Sequence, residues 1–152
     1  MIYYLIYYKY NSRNKYSPLL RAGETALINL SLQLCYLGHE ITVFNNCFNN
    51  ERIDNINWIN INKLSDNNSD RQFDLSISNN DCNFFNKIIS KKKILLSYSL
   101  QTIEKFIRKK QLVSYFKHRP KVALLGEYHK KKTSKLTILF GYMRLNLAVD
   151  EL

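Results

Sequence analysis

The sequence predicts an α/β domain built on a doubly wound, mostly parallel sheet, and three observations carry that expectation. Short apolar stretches rich in β-branched and aromatic residues recur at residues 2–8, 40–44, 73–78, 93–98 and 122–125. Helical or polar segments separate them, the longest at residues 24–37. The opening strand, helix and strand enclose a glycine-bearing turn placed where parallel sheets bind ligands. With 152 residues, 45% hydrophobic and 13% aromatic, the chain suits one domain, 1–152, with a buried core.

The elements follow in order. Residues 2–8 lack polar alternation, as a central strand covered on both faces would. Residues 9–21 are polar, carry Pro18 and are long for a strand-to-helix connection, which suggests a mobile loop over the carboxyl edge of the sheet. In residues 24–37, Leu27, Leu30, Leu34 and Leu37 make one stripe and Ala26, Ile28, Leu32 and Cys35 widen it, so the helix is expected to be mostly buried. Gly38 should end it as a left-handed cap. Residues 40–44 give the second strand.

Between residues 45 and 72 the chain is crowded with Asn, Asp and Ser, which disfavours helix. An alternating piece at 56–61 fits a third strand. The asparagine excess reads as compositional bias and receives no functional weight. Residues 73–78 form a fourth strand, 81–89 a short helix and 93–98 another strand. Residues 100–115 set Ile103, Phe106, Ile107 and Val113 on one side and Lys105, Arg108, Lys109 and Lys110 around it, the pattern of a basic amphipathic helix. After Pro120 come a buried strand at 122–125 and a final helix within 133–152.

The net charge is +11, and residues 87–144 hold sixteen of the 23 lysines and arginines against Glu104 and Glu127 alone. Such a field favours anionic partners. The basic helix fits two readings: Lys105, Arg108, Lys109 and Lys110 face an anionic membrane, or they are a solvated face. Nucleic acid is disfavoured, because the tyrosines lie mainly in residues 2–16 and are not interleaved with the lysines as a stacking platform requires.

Three cysteines without C-x-x-C spacing argue against a disulfide framework and a zinc site, and fit a reducing, cytoplasmic setting, peripheral to membrane if the basic helix docks there. Residues 2–8 are too short to span a bilayer and lack the flanks of a cleaved leader. No Walker loop, G-x-G-x-x-G or G-x-S-x-G is present. His39 reads as structural, and His118 and His129, beside Arg119 and Lys130, as surface residues.

Two stretches could meet a ligand. At Arg21, Ala22, Gly23 and Glu24, a helix N-terminus can face an anionic or hydroxyl-rich group, or simply begin a helix with Glu24 against its dipole. Ser97, Tyr98 and Ser99 end a strand at the ligand edge and can bond an acceptor or cap the next helix.

Arg21-Ala22-Gly23-Glu24, the following helix and Leu37-Gly38-His39-Glu40-Ile41-Thr42-Val43 together resemble the N-terminal domain of family-4 glycosyltransferases with the GT-B fold. That family shows a Gly-Gly-x-Glu turn before the helix and Arg-Gly-His-Glu-Val-x-Val after it. Phe73-Asp74-Leu75-Ser76-Ile77 and residues 93–99 are similar to the later strands of that domain. Arg21 and Ala22 stand at the two family glycines, and Tyr98 at the place of a histidine near the acceptor.

The resemblance implies a Rossmann-like, acceptor-side domain, with the second, donor-binding domain absent from these 152 residues. It further implies a fragment or half-enzyme, inactive alone. Its substrates would be a nucleotide sugar, held by a separate donor domain, and a glycan or lipid-linked acceptor, with no other cofactor. The alternative from composition is a non-catalytic basic module on anionic membrane or nucleic acid.

Overall fold

In the computed structural model the described residues are 2–3, 10–20, 22–47, 49–64, 72–97, 106–125, 131–132 and 142–145. Their centre is β1 (Ile2–Tyr3), which pairs in parallel with β2 (Ile41–Asn45) through Ile2 opposite Val43 and with β5 (Gln72–Asn79) through Ile2 opposite Ile77. The rest of the expected first strand, residues 4–8, lies outside the described residues.

On one side of β1, β2 pairs in parallel with β4 (Ile56–Asn60), and β3 (Glu51–Ile53) closes that edge as the one antiparallel member. On the other side β5 is followed by β6 (Ile89–Ser97), β7 (Lys121–Leu125) and β8 (Tyr142–Leu145), all parallel. The sheet order is therefore β3-β4-β2-β1-β5-β6-β7-β8. The chain fills one side of β1 first and then crosses to the other, so its direction of growth reverses between β1 and β5.

Side chains alternate across each strand, and the buried residues divide accordingly into two clusters. Ile41, Val43, Ile56, Trp58, Ile77, Leu96 and Ala123 point to one face, against Leu27, Ile28 and Tyr10. Phe44, Leu95, Val122 and Leu124 point to the other, against Phe84, Phe85, Phe106 and Tyr115. Both faces of the sheet are covered, which makes the molecule a mixed α/β structure in layers.

Helix α1 (Ala22–Tyr36) covers the first face. It is buried along one side only, at Glu24, Leu27, Ile28 and Ser31, while Leu37 is 69% and Tyr36 87% exposed. The expectation of a mostly buried helix holds in part: Leu30, Leu32, Leu34 and Cys35 are partly buried against the same core, while Leu37 at the end of the stripe is exposed. The end of α1 is as the sequence requires. Gly38 N–H donates to the Cys35 carbonyl at 2.9 Å and His39 N–H to the Leu34 carbonyl at 3.1 Å, with Gly38 at φ +87°, a Schellman motif.

Four other expectations need correction. Residues 10–20 are a built segment: Tyr10 and Ser12 are buried, and Asn11 caps a 3-10 turn at Ser12–Asn14 through a reciprocal bond with Asn14. The third strand expected at 56–61 is present as β4, and β3 before it completes a hairpin whose turn residues Asp54 and Asn55 both adopt positive φ, +52° and +58°; short polar side chains tolerate that conformation best.

The basic segment is two helical pieces. Residues 106–108 are helical, Lys110 turns left-handed at φ +53°, and α2 (Leu112–His118) begins after it. The final segment contains a strand where a helix was expected, because Tyr142–Leu145 satisfies its backbone along the open edge of β7. The remainder of residues 133–152 lies outside the described residues. The short helix expected at 81–89 is a five-residue 3-10 helix, Cys82–Asn86. Among the described residues no helix is long and apolar enough to cross a membrane.

Candidate functional site at the carboxyl edge

Parallel strands end at one edge, and there the loops that follow them meet. Asparagines stand at three of these ends, and each holds backbone or a neighbouring amide. Asn45, closing β2, is wholly buried and donates through Nδ2 to the Tyr10 carbonyl at 2.8 Å. Its Oδ1 is buried without a hydrogen-bond partner among the described residues. Asn60, closing β4, donates to the Cys47 carbonyl at 2.6 Å and accepts from Asn62 N–H at 2.9 Å. Asn79, closing β5, accepts from Asn80 Nδ2 at 2.8 Å. Position in the sheet gives these asparagines the role that composition withheld from them.

The segments after β4 and β5 meet at this edge, where Leu64 and Phe84 share a buried cluster with Phe44 of β2. Between them is a cavity of about 410 Å3 lined by Ile61, Asn62, Leu64, Asp81, Asn83, Phe84 and Lys87. That volume falls in the range of about 300–1,000 Å3 usual for small-molecule sites. Phe84 lies against Phe44 of β2, ring centroids 6.2 Å apart, which fixes the cavity over that strand.

Its floor is apolar and its rim carries one carboxylate, two amides and one ammonium. Asp81 Oδ1 accepts from Asn83 N–H at 2.9 Å, and the Asp81 carbonyl accepts the Ser78 hydroxyl, so the rim is tied to the end of β5. Asn62 and Lys87 are exposed at the mouth. Such an arrangement offers both donors and acceptors above an aromatic and aliphatic surface.

The turn at Cys82–Asn86 is held from behind by α2. Asn86 Nδ2 donates to Ser114 Oγ at 2.7 Å, Ser114 Oγ donates to Asn83 Oδ1 at 2.7 Å, and Gln111 Oε1 accepts from Cys82 N–H at 3.2 Å. Because Asn86 presents its Oδ1 to His118 Nε2 at 2.8 Å, the imidazole is the donor there. His118 is therefore part of a network and not a free surface residue. Its pKa is held below the usual histidine value by burial first, then by Lys93 and Lys117. Burial, and next the Asp81 charge, push the Cys82 thiol far up, so it is neutral and a poor nucleophile. Tyr115 beside it is raised to about 12, mainly by burial.

The residues singled out from sequence fall around this edge. Arg21, Tyr98, Ser99 and Lys105 lie outside the described residues. Ala22 opens α1, Gly23 is half-buried in its first turn and Glu24 is fully buried at 0% exposure. Ser97 closes β6 and is buried. Gly23, Glu24 and Ser97 do not line the cavity, whereas Asn62, Asp81, Asn83 and Lys87 were not singled out at all. A signal for those four was available only in the topology, since nothing in the local sequence says that residues 61–64 and 81–87 face each other. Arg108, Lys109 and Lys110 are exposed.

A larger cavity, about 990 Å3, opens at the opposite, amino edge. The registers explain it: β1 starts opposite Val43 and Ile77, so Ile41 and Thr42 of β2 and residues 72–76 of β5 run past it with a gap between them. It marks a break in the sheet floor and lies away from the strand ends where parallel sheets assemble sites. The described residues contain no cluster of three or more His, Cys, Asp or Glu able to hold a metal ion. None of the three cysteines is in a disulfide; Cys47 and Cys82 are buried and Cys35 is half-buried.

Comparison with protein-family models, with curated proteins and with solved structures gives no match for this chain.

Proposed function

We propose that this chain is the acceptor-binding part of a glycosyltransferase, taking a hydroxyl-rich acceptor into the cavity between residues 61–64 and 81–87. The observation that carries the reading is the composition of that cavity at the strand-order reversal. Asp81 accepts hydroxyl protons, the amides of Asn62 and Asn83 donate and accept, Lys87 donates, and Phe84 with Leu64 meets the apolar face of a sugar ring.

Two further features support it. With the antiparallel edge strand β3 set aside, β4-β2-β1-β5-β6-β7-β8 runs 3-2-1-4-5-6-7, which supports a doubly wound, Rossmann-like reading because such sheets begin 3-2-1-4-5-6 and bind ligands at the reversal. The resemblance of residues 21–44 to the family-4 glycosyltransferase N-terminal domain points to the same chemistry. The sugar would come from a nucleotide sugar held by a donor-binding domain, the two domains closing over the carboxyl edge.

The test is reconstitution. The protein is mixed with a GT-B donor domain and labelled nucleotide sugars, and transfer to glycan and lipid-linked acceptors is measured. Transfer is expected only with both parts present, reduced roughly three- to ten-fold by Lys87→Ala or Asn62→Ala, the value of one hydrogen bond each. No transfer across the panel of donors and acceptors would contradict the proposal.

A further inference from the structure

The stretch 106–118 turns Phe106, Gln111, Ser114 and Tyr115 inward. Its outward side carries three large apolar side chains, Ile107 at 59%, Val113 at 79% and Phe116 at 47% exposure. Val113 and Phe116 are three residues apart on α2 and share a face. Ile107 stands just before a tight chain reversal that leads into α2: Lys110 N–H donates to the Ile107 carbonyl at 3.1 Å and Gln111 N–H to the Phe106 carbonyl at 2.8 Å. Phe106 and Tyr115, 4.9 Å apart, pin the two helical pieces together underneath.

Around these apolar side chains Arg108, Lys109, Lys110 and Lys117 are all exposed. Residues 105–126 contain seven lysines and arginines and no acidic residue. The sequence pattern set Phe106, Ile107 and Val113 on one side, whereas in the structure Phe106 is buried, Ile107 and Val113 are exposed, and Lys110 turns left-handed between the two helical pieces.

We infer that this surface docks on an anionic phospholipid membrane, with Ile107, Val113 and Phe116 entering the headgroup boundary and the four cations above it lying against lipid phosphates. Charge complementarity selects the lipid, since a stretch with seven lysines and arginines and no acidic residue between Glu104 and Glu127 matches an anionic leaflet. The apolar residues select a bilayer over a nucleic acid. Two of the three are aliphatic and offer no ring for base stacking, whereas apolar side chains ringed by cations are the pattern of interfacial binding. The docking does not depend on the sugar reading, but the two meet in the structure. The turn at Cys82–Asn86 lines the cavity with Asn83 and Phe84 and is bonded to α2 through Ser114, so a docked domain holds the cavity close to the headgroups.

Vesicle co-sedimentation tests this with phosphatidylcholine alone and with phosphatidylcholine mixed with phosphatidylserine, each at low and high salt. The protein should bind the anionic vesicles only, more weakly in salt. The double variant Lys109→Ala with Lys110→Ala should bind roughly 30-fold more weakly, from about 1 kcal/mol for each cation at a membrane surface. Val113→Ser with Phe116→Ser should remove the binding that survives high salt. Both variants change exposed side chains, and an unchanged circular dichroism spectrum shows that each is folded. Equal binding to neutral vesicles, unaltered binding by either variant, or binding to single-stranded RNA with none to anionic vesicles would overturn the proposal.

Discussion

At the scale of single residues, His118 couples the fold to pH. Its ring lies against Phe85 from the 3-10 turn, Asn86 accepts its Nε2 proton, and Lys93 of β6 and Lys117 of α2 face it with positive charge. Burial and the two lysines favour the neutral imidazole, burial most of all. The folded pKa therefore lies below the unfolded one of about 6.5. Between the two values the unfolded chain binds more protons, so stability is complete above about 6.5 and declines as the pH falls toward the folded pKa. Thermal unfolding should shift to lower temperature as the pH is taken from about 7 to 5, and His118→Gln should flatten that slope; parallel slopes would remove His118 from the account. Asn45, Asn60 and Asn79 teach the opposite lesson about legibility. Their residue type was visible, but a carboxamide that bonds residues up to 35 positions away gains meaning only when the strands are in register. Composition cannot supply that register.

At the scale of elements, local signals were readable where the physics is local. Gly38 announced the end of α1 because only a residue without Cβ takes φ +87° at little cost. An added Cβ there would meet nothing within 4 Å, so Gly38→Ala tests backbone conformation alone. It should cost about 1 kcal/mol, the left-handed penalty for an ordinary residue, measured as a lower urea midpoint with unchanged m-value. No loss would mean that the helix end frays harmlessly. The central strands were equally legible, since short apolar runs such as Ile94-Leu95-Leu96 announce burial on both faces. What failed were elements decided from a distance. β3 is three residues long and exists because Asp54 and Asn55 turn it back onto β4. β8 overrides the helical leaning of its Met, Arg and Leu by pairing with β7. The basic helix broke at Lys110, where a lysine occupies a left-handed position usually given to glycine.

At the scale of the whole molecule, the alternation of strands and helices in the sequence foretold a parallel α/β sheet, and the order of its strands places the reversal beside the cavity of residues 61–64 and 81–87. The predicted ligand residues at the start of α1 and the end of β6 belong to the same edge but do not line that cavity. Topology could be guessed from alternation, while the meeting of residues 61–64 with residues 81–87 beside Phe44 of β2 could not, because each loop is an ordinary polar stretch by itself. The same turn that lines the cavity grips α2 and its exposed apolar and cationic surface, so one rigid connection joins the proposed acceptor site to the proposed membrane contact. The most direct measurement is an amide-resolved NMR titration of the protein with a panel of oligosaccharides and glycolipid headgroups. Saturable shifts at Asn62, Asp81, Asn83 and Lys87, lost in Lys87→Ala, are the predicted result; no shift for any sugar, or shifts confined to His39, Arg52 and Gln72 at the amino edge, would contradict the assignment of the acceptor site.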